Sequence, residues 1–140
     1  AGLPVTSGLA LHLDGSSVET MQSSGKTLVK SWLDQSVSDG VENAVQSNTS
    51  YMPQLMTVSG FANGQPVLYF DGNDKLTISD GSKLTPSTHG LTIFVGGNVN
   101  DYYTRMWFKK GTNNSSDERY CLRTDDHERV IFRVNADNSS

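Results

Sequence analysis

The side chains able to do chemistry in this 140-residue chain are unevenly spread. Seven of its eleven lysines and arginines fall between Arg105 and Arg133, whereas the residues before Arg105 hold four of them against nine acidic side chains. Read as strands at 105–109, 119–124 and 129–134, this stretch alternates. Arg105, Trp107 and Lys109 oppose Met106 and Phe108; Arg119, Cys121 and Arg123 oppose Tyr120 and Leu122; Arg129, Ile131 and Arg133 oppose Val130, Phe132 and Val134. The apolar set is the expected core face. Arginine forks bind carboxylate and sulfate through paired hydrogen bonds, and an aromatic ring stacks on the face of a sugar. Trp107 with Arg105, Lys109, Arg119, Arg123 and Arg133 is therefore the expected ligand-binding set, suited to an anionic polysaccharide. The same pattern also fits a solvated β-face whose arginines pair with acidic side chains across strands, each pair contributing little.

Two turns are rich in oxygen donors: Asp71, Asn73 and Asp74 in one, Asp125, Asp126 and Glu128 in the other. Calcium takes several hard oxygen ligands, which makes Asp71, Asn73 and Asp74 the candidate structural calcium site. Asx side chains also favour turns through their own backbone hydrogen bonds, and that needs no metal. His12, His89 and His127 are scattered, without a Cys or His at ligand spacing, so zinc is not expected, and no other cofactor is implied. Glycoside hydrolysis needs two facing carboxylates, about 5 to 5.5 Å apart in retaining enzymes. No expected strand carries two in line, so the chain is read as non-enzymatic. The single cysteine, Cys121, excludes an internal disulfide framework and is expected to pack as a small buried hydrophobe. The glycosylation-type triplets beginning at Asn48, Asn113, Asn114 and Asn138 are expected by chance in so Asn- and Ser-rich a chain.

These residues need a scaffold, and the composition points to β-structure. Apolar residues make up 35% of the chain, with 13 glycines among many Ser, Asn and Asp, and no segment sustains a helical period. The net charge of -4 argues against nucleic acid as a partner. No apolar run approaches the roughly 18 residues of a membrane span, and 1–20 lacks a leader pattern, so a signal was either removed or never present. Strands are expected at 9–13, 27–33, 44–46, 55–58 and 91–95, with a polar, turn-like stretch over 16–26 in which 18–22 can form one helical turn. Gly96 and Gly97 then mark a bulge, bend or close approach. Residues 65–78 read as a central hairpin: Val67 to Phe70 is apolar on both faces, Asp71 to Asp74 is a turn, and Leu76 and Ile78 alternate with Lys75 and Thr77.

The order of these landmarks resembles the laminin G-like jelly-roll domains of the concanavalin A-like lectin and glucanase superfamily. Gly8-Leu9-Ala10-Leu11-His12-Leu13-Asp14 is similar to the first strand of that family, and Trp32, Asp34 and Ser36 to its Trp-x-Asp-x-Ser element. Asn43, Ala44 and Gln46 match its next short strand, and Leu91 to Phe94 its central strand. The most specific match is Asn63-Gly64-Gln65-Pro66 leading into Phe70-Asp71-Gly72-Asn73-Asp74-Lys75-Leu76. Val37, where glycine is usual, and Gly96-Gly97, where bulky residues continue the strand, depart from the pattern.

The resemblance implies an all-β fold, a two-sheet antiparallel β-sandwich formed as one domain over 1–140. Domains of this family run longer, so the chain is read as lacking its final strands and as a piece of a larger protein, with an open sheet edge for another polypeptide. Neither the paired carboxylates of the glucanases nor the Arg-Glu, Gln-x-His and Tyr-rich strands of the polysaccharide lyases are present. What the resemblance implies instead is a non-catalytic carbohydrate-binding or adhesion module of a secreted or cell-surface protein. The alternative is a protein-interaction domain. A third reading, part of a polysaccharide-active enzyme, needs catalytic strands beyond Ser140.

Overall fold

The structure is a computed structural model that describes residues 7–36, 42–79, 84, 92–98, 106–111, 120–125, 127 and 129–134. The expectation of a β-rich chain with antiparallel sheets holds: the described strands form one sheet of six and one of three. The first belongs to a compact unit spanning Ala1–Thr88 and the second to another spanning His89–Ser140. Among the described residues no helix is long and apolar enough to cross a membrane.

In the first unit, β1 (Leu13–Ser23) and β2 (Lys26–Asp34) form a hairpin closed by Ser24 and Gly25, whose φ values of 51° and 76° make the two-residue turn that matches strand twist. This corrects the expected strand at 9–13 and the turn-like reading of 16–26. The stretch is a strand with most of its side chains in water, so its polarity hides it. Beside β2 lie β3 (Ala44–Val45), opposite Ser31 and Trp32, and β4 (Gln54–Thr57), opposite Leu28. Leu28 and Val29 are adjacent and both buried, Val29 completely, so β2 is covered on its two faces. Pro53, also fully buried, accepts the Val29 N–H through its carbonyl at 2.8 Å.

The hairpin expected over 65–78 does not form. β5 (Pro66–Tyr69) pairs with β4, and β6 (Thr77–Ile78) pairs with β3, which puts the two at opposite ends of the sheet path. The Asp71 to Asp74 turn thus carries the chain from one outer strand to another. Being outermost, β5 leaves Tyr69 48% and Phe70 43% exposed, contrary to the expected burial on both faces.

In the second unit β7 (Met106–Lys110), β8 (Tyr120–Thr124) and β9 (Val130–Val134) lie in that order, all antiparallel, within a residue of the expected strands. Tyr120 and Cys121 are both buried, so the central strand β8 is covered on its two faces. The Phe108 and Tyr120 rings stack with centroids 5.5 Å apart. The strand expected over 91–95 is not seen. Residues 92–98 pair with none of the described strands, Phe94 is 89% exposed, and Leu91 lies outside the described residues.

Candidate ligand-binding face

Register decides which side chains of β7, β8 and β9 meet, because directly opposed residues share a face. Cys121 stands between Lys109 and Arg133, and Arg123 between Met106 and Ile131. The pairing slips between Met106 and Phe108, leaving Trp107 without an opposite residue. Trp107 precedes Phe108 and so points to the other face, that of Arg123. Met106 joins it there through its own pairing with Arg123, which corrects its expected place on the apolar face. The bulge therefore gathers Trp107 and Met106 beside one arginine.

Four of the six expected ligand residues, Trp107, Lys109, Arg123 and Arg133, share this face; Arg105 and Arg119 lie outside the described residues. The face is not the open basic surface that simple alternation suggests. Cys121 at its centre is fully buried, while Val130 and Phe132 on the apolar side are 65% and 51% exposed because β9 is an outer strand. Arg123 is half-buried, and its Nε–H is shielded from water with no acceptor among the described residues. A buried donor without a partner carries a desolvation penalty, larger for a charged group, and an anionic oxygen would remove it. Gly97 lies near the Trp107 ring: a Cβ built on it would be 4.0 Å from Trp107 Cζ3, in ordinary contact.

Arg129 is committed elsewhere. Its Nε donates to Asp125 Oδ2 at 2.7 Å, its Nη2 lies 2.6 Å from the same oxygen, and Asp125 Oδ1 accepts the N–H groups of His127 and Arg129. The side-chain hydrogen bond from Arg129, with those backbone donors, holds the Asp125 carboxyl down at about 2. Asp126 and Glu128 of this turn lie outside the described residues.

At the candidate calcium site the donors act as turn formers. Asp74 Oδ2 accepts the Asp71 N–H at 2.9 Å, Asp71 Oδ1 accepts the Asn73 N–H at 3.1 Å, and Gly72 takes a φ of 103°. Burial, aided by the nearby Asp71 charge, raises the Asp74 pKa. Among the described residues, no group of three or more His, Cys, Asp or Glu side chains is placed to hold a metal ion.

The Trp-x-Asp-x-Ser element proves to be a brace. Asp34 Oδ1 accepts the N–H groups of His12 and Ser36 at 3.0 and 2.8 Å, and Oδ2 accepts Ser36 Oγ–H at 2.7 Å and the Glu42 N–H at 3.3 Å. Burial pushes the Asp34 carboxyl up, but these bonds together outweigh it and the pKa is lowered. Trp32 Nε1 donates to the Asp14 carbonyl at 2.8 Å.

No family model, curated protein or solved structure matches the chain. Lys30 and Lys75, which lie outside the cationic set between Arg105 and Arg133, border a groove on the first sheet.

Proposed function

We propose that the chain is a non-catalytic carbohydrate-binding or adhesion module of a secreted or cell-surface protein, with anionic polysaccharide as its ligand. The carrying observation is Arg123, whose buried Nε–H has no acceptor among the described residues and lies on a face shared with Trp107, Lys109 and Arg133. In this reading a carboxylate or sulfate of the polymer accepts from Arg123 while the Trp107 ring meets the adjoining sugar. The resemblance to laminin G-like domains supports a jelly-roll sandwich as the scaffold, and the antiparallel β-structure of each unit agrees with an all-β chain.

An array of sulfated, uronic-acid and neutral glycans tests it. The chain is expected to bind the anionic polymers and to lose about tenfold in affinity in Trp107→Ala or Arg123→Ala, the scale of one charge-assisted bond or stacked ring. Binding of no glycan, or binding indifferent to both substitutions, would sink the proposal.

A second reading, docking of another polypeptide, is favoured by Val130 and Phe132, two residues apart on the same face of β9 and 65% and 51% exposed.

A further inference from the structure

We infer that one side of the first sheet carries a groove for an acidic, extended peptide with an apolar side chain between its carboxylates. The groove has a volume of about 610 Å³. It is created by a slip in the β1–β2 register. Glu19 faces Ser31 and Thr20 faces Val29, so Lys30 has no opposite residue on β1. Both Lys30 and Ser31 consequently reach the face of Glu19, Met21, Val45 and Thr77, and all six border the groove.

Its lining joins three apolar side chains, Met21, Val45 and Met52, to the ammonium groups of Lys30 and Lys75. Met21 and Val45 are 37% and 47% exposed, an apolar surface still open to a partner. Lys75 is fixed at the Tyr51 turn: its N–H donates to the Tyr51 carbonyl at 3.0 Å, and its Nζ sits 5.2 Å from the Tyr51 ring centroid. The Gln46 amide is already used, donating to the Lys75 carbonyl at 3.1 Å and accepting the Asn48 N–H at 3.0 Å, so it forms a fixed wall. Lys30 meets Glu19 at 3.6 Å with both side chains about half exposed, a screened pair that an incoming carboxylate can replace.

Charge selects the occupant. Lys30 and Lys75 against the single carboxylate of Glu19 leave the lining with one excess positive charge in a chain of net -4, so an acidic ligand is drawn to this spot and repelled by the acidic surface elsewhere. The floor selects peptide over sugar. None of the described lining side chains is aromatic, and methionine thioethers adapt to apolar side chains, whereas a sugar ring stacks best on a flat ring.

Fluorescence anisotropy of the whole chain tests the assignment with three labelled octapeptides: alternating Glu and Leu, alternating Glu and Ser, and alternating Lys and Leu. The Glu-Leu peptide is expected to bind and the Lys-Leu peptide not to. The Glu-Ser peptide, and the Glu-Leu peptide on Lys30→Gln, Lys75→Gln or Val45→Asp, are each expected to bind about fivefold more weakly or less. Trp107→Ala, in the other unit, is expected to change nothing, which separates this site from the proposed polysaccharide face. Equal binding of the Glu-Ser and Glu-Leu peptides, or full affinity in folded Lys75→Gln and Val45→Asp, would overturn the inference. So would a sulfated polysaccharide whose binding, rather than that of the peptide, depends on Lys30 and Lys75.

Discussion

Asp34 and Asp125 show how single carboxylates are used in this protein. Each collects several donors and is held below its ordinary pKa, so each acts as a structural clamp. In Asp34→Asn one carboxylate oxygen becomes an NH2 group facing donors, which leaves buried groups unsatisfied in a residue only 8% exposed. Urea unfolding is expected to show a loss of about 1 to 3 kcal/mol. For Asp125 the prediction concerns pH. Its carboxyl titrates near 3.9 in an unfolded chain and at about 2 in the folded one. The unfolded state therefore takes up its proton first as pH falls, and the stabilisation present above about pH 4 disappears toward about pH 2. The difference in stability between the wild type and Asp125→Asn is expected to shrink across that window in denaturation curves taken at successive pH values. A difference that stayed constant down to pH 2 would show that the Arg129 pairing does not couple to folding.

Turns and register slips do more to place side chains than the strands themselves. Gly15 lies against β5, where a Cβ would stand 2.3 Å from the Pro66 carbonyl oxygen, so neither backbone can make room without shifting. Gly25 has open space around it and only its φ of 76° to protect. Thermal or urea unfolding is expected to show a loss of about 1 to 3 kcal/mol for Gly15→Ala from overpacking, against about 1 kcal/mol for Gly25→Ala from backbone strain alone. The strands of the second unit were legible because polar and apolar residues alternate along them. Strand β1 was not, since its burial is slight and its polar residues resemble a loop. The apparent hairpin at 65–78 misled for a different reason: alternation tells that two segments are extended, not that they are partners. β6 finds Ala44 and Val45 instead, a long-range choice made by packing. The bulges at Lys30 and Trp107 were equally hidden, because a one-residue slip leaves no mark in the sequence.

Across the whole chain, acidic charge prevails while seven of eleven cationic side chains gather between Arg105 and Arg133. That asymmetry was legible from the sequence, and so was the shared face of Trp107, Lys109, Arg123 and Arg133. The burial of Cys121 within that face, and the capture of Arg129 by Asp125, were legible only in part, since they depend on what covers β8 and how the turn after it closes. Binding of an anionic polymer by such a face is expected to weaken with added salt as exposed charges are screened. The two tryptophans, Trp32 and Trp107, allow this to be followed directly. In a Trp32→Phe background, emission of Trp107 during titration with a sulfated polysaccharide isolates the proposed site. A saturable change that shifts to higher polymer concentration with salt and is lost in Arg123→Ala is the predicted result; Trp107 emission that stays constant for every anionic polymer tested, in a chain that is folded, would contradict the account.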